Sequence, residues 1–468
     1  MKKCLFTVMM ILLGWGIARA DKVTVSGHLT GYEPNTLVRL IIDADPFSQW
    51  KTTLSSTRSD DQGNFSMTVM LDHPVYARLA VNLKKGDLFL FPDGNYTVAV
   101  RRDTTEKGSV FDRRPLNLNL KAEDGGRTQS MGAFNQMYND FLVHEFRSIY
   151  QYHDQVVLHR LEQKVDSIFS KSGGTYLKNY IRYSLASLEW GARKYPVSVF
   201  ARKYFVKQPV LYHNVQYAQL FDNFFEGYFD VQPSSPVTLD KLSNAIASGD
   251  LKKFDELFRK DSVLAMDGRV RQLAEMVILR KLFYRNTYQQ LAIEALYQQI
   301  SKSSQYVENR QIAAHWLAKL TYLMPGTVAP AFQLPDFNGT ERSLKNWKGK
   351  FVLLAFYKTH CPLCLYQWSQ VKDMQEKLGA EFVPVAVVSG KNVTDYQKLY
   401  ENENGQFTYL LLGNDILLPE KYQVETYPSY VLLNPDGTIA MAPAPMPQDN
   451  ALRKFSLYME EFKKGNKK

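Results

Sequence analysis

Two cysteines stand two residues apart in the stretch FYKTHCPLCLYQ, residues 356 to 367. They are Cys361 and Cys364, and the only other cysteine in the chain is Cys4. A pair at this spacing admits three chemistries: dithiol–disulfide exchange, half of a metal site, or two unreactive buried thiols. The flanking residues bear on the choice. KFVLLAFY, just before the motif, is a continuous apolar run of strand length, and a helical pattern follows. Cys361 then ends a buried strand and starts a helix, where unpaired N–H groups and the helix dipole stabilise a thiolate. Pro362 suits the first helical position, which needs no hydrogen-bond donor. The pattern predicts Cys361 exposed at the turn, with Cys364 beneath it on the same face and within bridging reach. Attack by Cys361 on a substrate disulfide gives a mixed disulfide, which Cys364 resolves.

The rival chemistries lack partners. Structural zinc needs four ligands, and no second CxxC or CxxH follows the leader described below. A polar helix start is a poor place for inert core thiols. A peroxidatic cysteine would want threonine or serine three residues upstream and proline seven upstream, where Lys358 and Leu354 stand. His144, His153 and His159 do not fall on adjacent turns of one helical face, as a chelating pair four residues apart would.

The elements that must position the cysteines follow from periodicity. Proline and glycine break a helical pattern near Pro325 in LMPGTVAPAFQLPDF. After it come the apolar strand, the CxxC helix, a second buried strand (EFVPVAVVSG), a helix (NVTDYQKLYENE) and a strand (FTYLLLG). A hairpin (YPSYVLLNPDGTIAMA) and a closing helix (NALRKFSLYMEEFKK) end the chain. This order predicts an α/β domain with a mixed sheet over residues 325–468. Residues 123–324 read as an α-helical middle domain. There Tyr217, Phe221, Phe224, Phe225 and Tyr228 share one face, and Asp250 is placed to cap a helix. Residues 21–122 read as an all-β, sandwich-like domain of short strands separated by turns such as Asp60-Asp61-Gln62-Gly63-Asn64.

Residues 1–20, MKKCLFTVMMILLGWGIARA, have a basic start, an apolar run and an Ala-Arg-Ala ending. That is the pattern of a cleavable signal peptide cut after Ala20, and it predicts an exported, periplasmic protein. Cleavage takes the formal charge from +10 to +7, because Lys2, Lys3 and Arg19 leave without an acid. The remaining basic charge is spread along the chain with no aromatic-interleaved run, which argues against nucleic acid.

Residues 325–468 resemble the TlpA/ResA-like class of exported thiol-disulfide oxidoreductases. The resemblance rests on PAFQLPDFNGTERSLKNWKGKFVLLAFY, CPLC and YQVETYPSYVLLNPDGTI. The β domain also resembles one found ahead of thioredoxin-like domains in exported bacterial proteins. The resemblance implies a thioredoxin fold with Cys361 as nucleophile and Cys364 as resolving thiol. It implies that Pro428 is a cis-proline facing the disulfide and that Tyr427 and Pro428 shape a peptide groove. This sequence departs from the family at four places: His360 replaces the usual tryptophan, Gln367 an acid, Ala355 a buried aspartate, and Tyr427 a threonine or valine. His360, Pro362 and Gln367 are thus candidate modulators. The implied activity is disulfide reduction in exported proteins, with the Cys361–Cys364 disulfide as the redox centre and no metal or organic cofactor. The implied partners are disulfide-bearing substrates and a membrane or periplasmic redox partner. The alternative is a non-catalytic binding or dimerisation protein that uses the thioredoxin fold as a recognition surface. The sequence indicates no oligomeric state.

Overall fold

The computed structural model describes residues 20–81, 84–102, 115–170, 174–230, 236–284, 290–390, 394–403, 405–413 and 417–465. Of the expected signal peptide, all but Ala20 lies outside the described residues.

Eight strands open the chain: β1 (Asp21–Thr30), β2 (Leu37–Asp43), β3 (Lys51–Arg58), β4 (Asn64–Leu71), β5 (Val75–Val81), β6 (Lys84–Leu90), β7 (Asn95–Arg101) and β8 (Leu118–Glu123). They form two four-stranded sheets, ordered β4-β1-β7-β8 and β3-β2-β5-β6. Alternation along β4 turns Phe65, Met67, Val69 and Leu71 inward, where they share a core with Val38, Leu40 and Leu79 of the other sheet. β3 has no apolar alternation, because KTTLSSTR is an edge strand with no fully buried residue. Ladder pairing with β2 holds it.

Ten α-helices follow among the described residues: α1 (Arg127–Tyr150), α2 (Gln155–Phe169), α3 (Thr175–Gly191), α4 (Val197–Tyr204), α5 (Val215–Glu226), α6 (Leu239–Ala247), α7 (Leu251–Phe258), α8 (Gly268–Phe283), α9 (Gln290–Ser303) and α10 (Val307–Thr321). Side chains of Asp154, Asn214, Thr238, Asp250 and Asp267 accept the free N–H groups at five helix starts. The aromatic face of α5 is core: Tyr217, Phe221, Phe224, Phe225 and Tyr228 are fully buried.

The C-terminal region begins with a two-residue ladder, β9 (Leu334–Pro335) and β10 (Glu341–Arg342). It continues as β11 (Phe351–Lys358), α11 (Pro362–Leu378), β12 (Phe382–Ser389), α12 (Thr394–Asn402), β13 (Thr408–Gly413), α13 (Leu417–Lys421), β14 (Ser429–Leu433), β15 (Ile439–Met441) and α14 (Ala451–Gly465). The five-stranded sheet runs β13-β12-β11-β14-β15. β11, β12 and β13 are parallel, while β14 and β15 pair antiparallel. β11 is buried on both faces. Leu353, Ala355 and Tyr357 meet Trp368 of α11 and Phe455 of α14, and Val352, Leu354 and Phe356 meet Leu418 and Tyr422 on the other side.

β2 and the loop after it join the regions. Phe47, in the β2–β3 loop, is 4% exposed and lies among Tyr212, Tyr217 and Phe221 of the helical region, with ring centroids 6.1, 6.1 and 5.7 Å away. Asp45 meets His315 Nδ1 at 2.7 Å, and Lys319 Nζ donates to the Ser48 carbonyl at 2.8 Å. Beside this loop, His73 stacks on His213 with centroids 3.7 Å apart. Burial, then the neighbouring His73, hold His213 below its ordinary pKa of 6.5 against the opposing pull of Asp72, Glu308 and Asp45.

Two outcomes follow from this packing. Phe47→Ala should destabilise the fold by about 3–5 kcal/mol, the usual loss for a buried phenylalanine, read as a lower thermal midpoint. For His213, the folded state holds its proton less tightly than the unfolded chain. Its stabilisation is complete above pH 6.5 and is lost as pH falls from there toward the lowered folded value. The thermal midpoint should therefore drop between pH 7 and pH 5.5, and His213→Gln should flatten that slope.

Candidate active site

β11 ends at Lys358, and the chain turns through Thr359 and His360 into α11. Thr359 N–H donates to the Ser389 carbonyl at 3.0 Å, tying the turn to the end of β12. His360 is exposed and sits in the left-handed region, with φ +58°. Cys361 is the N-cap of α11 and Pro362 its first residue. Cys364 N–H donates to both the carbonyl (3.0 Å) and the Sγ (3.2 Å) of Cys361. The first sulfur thus receives a helix-start N–H, the contact that favours a thiolate once the bond is reduced. The two cysteines form a disulfide, with Cα atoms 5.2 Å apart.

Cys364 is fully buried, as the helical spacing predicts. The expectation of an exposed Cys361 is corrected: it is only 6% exposed. Its sulfur is drawn inward by the bond to Cys364 and by the N–H it accepts. The exposed groups at the mouth are His360, Pro362, Leu363 (48%) and Tyr366 (61%).

Pro428 follows a cis peptide bond from Tyr427 and is buried. The register Ser429↔Phe356 brings this peptide to the same end of β11 as the cysteine turn. Tyr427 lies against Ser389 at the end of β12, and burial raises the pKa of its phenol. Tyr427 and Pro428 therefore stand beside the turn that carries Cys361.

Gln367, one turn beyond Cys364 on α11, is fully buried. Its Oε1 accepts from Tyr430 OH at 2.7 Å, and its Nε2 donates to Gln448 Oε1 at 2.7 Å. Tyr430 OH and Tyr357 OH lie 3.1 Å apart. Because the Tyr430 proton is directed to Gln367, Tyr357 donates to Tyr430. Burial, then mutual proximity, hold the Tyr357 phenol well above its ordinary pKa, and burial raises Tyr430 as well. An uncharged chain of two phenols and two amides thus links β11, β14, α11 and the turn before α14. Ala355, the other place where the resemblance implies an acid, is buried on β11 opposite Tyr430.

Sequence reasoning did not find Tyr357, Tyr430 or Gln448. Tyr357 is the one polar group in the buried run before the motif, and that was the available signal. Elsewhere, Trp368 Nε1 donates to Tyr409 OH at 2.6 Å, and Tyr409 OH donates to Glu403, anchoring α11 to β13. Among the described residues, no group of three or more His, Cys, Asp or Glu is placed to hold a metal.

A five-stranded mixed sheet with a CxxC at the start of the helix after its central strand is a thioredoxin fold. The family and sequence comparisons agree. Residues 325–442 match the AhpC/TSA family. Peroxiredoxin Bcp of Escherichia coli (strain K12) is 31% identical over 116 residues, 25% of this chain and 74% of that protein. Thiol-disulfide oxidoreductase ResA of Bacillus subtilis (strain 168) is 34% identical over 119 residues, 24% of this chain and 64% of that protein, just under two thirds of its length. Among solved structures, a putative thiol-disulfide oxidoreductase from Bacteroides vulgatus is 23% identical, with 29% of this chain and 96% of that one covered at a TM-score of 0.27. Through its C-terminal domain the chain belongs to the AhpC/TSA family of thioredoxin-fold proteins.

Tyr430→Phe removes the donor to Gln367 Oε1 and the acceptor for Tyr357 OH, leaving both buried groups short of a partner. Each such loss costs about 1–3 kcal/mol. The expected outcome is a lower thermal midpoint, with the Cys361–Cys364 disulfide still forming by mass.

Proposed function

We propose that the protein is a thiol-disulfide oxidoreductase that reduces disulfides in exported proteins. The observation that carries this reading is the Cys361–Cys364 disulfide at the N-terminus of α11, inside a ResA/TlpA-like domain. The working cycle starts when an external dithiol reduces the disulfide. The Cys361 thiolate then attacks a substrate disulfide R–S–S–R′, forming Cys361–S–S–R and releasing R′S⁻, which takes up a proton. Cys364, losing its proton, attacks Cys361 Sγ and releases RS⁻, which is protonated in turn. Two electrons and two protons leave the protein and reduce R–S–S–R′ to RSH and R′SH. No metal or organic cofactor enters these steps.

In this reading Tyr427 and Pro428 form the edge along which a substrate strand pairs, and His360 and Pro362 set the environment of the attacking thiolate. The buried Gln367 network supplies no carboxylate to accept the Cys364 proton. The leader-like residues 1–20 support export to the periplasm. The electron donor is then a membrane or periplasmic dithiol partner, because the domain cannot recharge itself.

The test is equilibration of the full-length protein in graded glutathione buffers, followed by alkylation and counting of thiols by mass. A reversible two-thiol transition with a strongly reducing midpoint is expected. Cys361→Ser should lower insulin reduction by about a hundredfold or more, and Cys364→Ser should accumulate mixed disulfides. A chain with no reversible transition would be a binding protein on a thioredoxin scaffold.

A further inference from the structure

The outer face of the β3-β2-β5-β6 sheet carries a row in which two basic residues flank an alanine. Arg39 on β2 pairs with Ala80 on β5, and Ala80 pairs with Lys85 on β6, so the three stand side by side across the sheet. They alternate with Val38, Leu40, Leu79 and Val81, which face the sandwich core, and so they point outward. Yet Arg39 is 3% exposed and Ala80 fully buried. Glu420 of the thioredoxin domain reaches both basic residues. Arg39 Nη1 lies 3.3 Å from Glu420 Oε2, and Lys85 Nζ lies 2.7 Å from Glu420 Oε1. Both ion pairs that join sandwich to thioredoxin domain among the described residues end on this one carboxylate. Arg39 Nε and Nη2 have no hydrogen-bond partner among the described residues, so the charge of a nearly sealed guanidinium rests on Glu420.

Glu420 lies in α13, at the start of the segment that leads to Tyr427 and Pro428. That segment has little slack. Gln423 N–H donates to the Glu420 carbonyl at 3.1 Å, and Val424 N–H donates to the Pro419 carbonyl at 2.8 Å. Tyr422 packs on Phe356 of β11, with centroids 5.3 Å apart, and its hydroxyl donates to the Pro330 carbonyl at 2.8 Å. At the other end Tyr427 lies against Ser389, whose carbonyl accepts from Thr359 N–H in the cysteine turn.

We infer that Arg39 and Lys85, acting through Glu420, are positioning residues for the Tyr427–Pro428 edge, so that the β-sandwich sets the groove in which a protein disulfide docks. The inference rests on the oxidoreductase reading and assigns a part in it to a domain that carries no chemistry. Among the described residues no hydrogen bond or ion pair links the clamp to either cysteine, so the electronics of the pair should not depend on it. A small disulfide that needs no groove is indifferent to the clamp, whereas a polypeptide that must pair with the edge is not.

The experiment compares prereduced full-length protein reacting with oxidised insulin and with 2-hydroxyethyl disulfide, together with the midpoint in glutathione buffers. Glu420→Gln should slow the insulin reaction by about threefold or more. The hydroxyethyl disulfide rate and the midpoint should hold. Lys85→Met, at a side chain 31% exposed, should act in the same direction and carries the test if Glu420→Gln folds poorly. An unchanged ratio of the two rates in a folded variant overturns the inference. So does a parallel change in both rates and the midpoint. Failure of the unmodified protein on both disulfides would overturn the oxidoreductase reading itself.

Discussion

Everything at the site hangs on the central position of β11. The strand has a parallel neighbour on one side, an antiparallel neighbour on the other and a packed apolar layer on each face. Its backbone hydrogen bonds are consumed by β12 and β14, and its side chains are locked in two cores. The point at which it stops is therefore fixed. Thr359 ties that end to β12, and Pro362 opens α11 at once, so Cys361 has little freedom in where its sulfur sits. A helix start needs N–H acceptors, and a buried strand end needs an exit. The cysteine turn answers both needs in four residues.

Beneath the disulfide, polarity is confined to groups that satisfy each other. The phenols of Tyr357 and Tyr430 and the amides of Gln367 and Gln448 form one directed chain that reaches the surface at Gln448. A carboxylate in the same place would bring a charge into a site with no cation beside it among these partners. The neutral chain avoids that cost and still joins the cysteine helix to the strand after Pro428. The ion pairs that tie the sandwich to this domain lie elsewhere, where Glu420 gathers Arg39 and Lys85.

The sequence shows most clearly whatever is local and repetitive. The apolar run of β11, the proline after Cys361, the alternation of β4 and the aromatic face of α5 are each carried by consecutive or periodic residues, and each stands in the structure as read. β3 was not legible, because its residues are polar and its stability comes from pairing with β2. The hydrogen-bonded chain was not legible either: Gln367 meets Tyr430 and Gln448 across 63 and 81 residues, and no local pattern marks such a meeting. Arg39 and Glu420 meet across 381 residues, and Arg39 reads as an ordinary solvated position on an outer strand face until the other domain is laid on it. Cys361 was read as exposed because position in a turn was weighed without the pull of its own disulfide.

The loop carrying Phe47 gives the chain an order of assembly. It belongs to the first domain made, yet its socket is built from Tyr212 and α5, and the Asp45–His315 hydrogen bond beside it closes only when His315 arrives, 270 residues after Asp45. A chain synthesised from its N-terminus can complete the sandwich while Phe47 still lacks its partners. For that interval the young protein shows an aromatic hook that the finished one hides. The last helix before the thioredoxin domain then closes the polar contacts of the loop through His315 and Lys319.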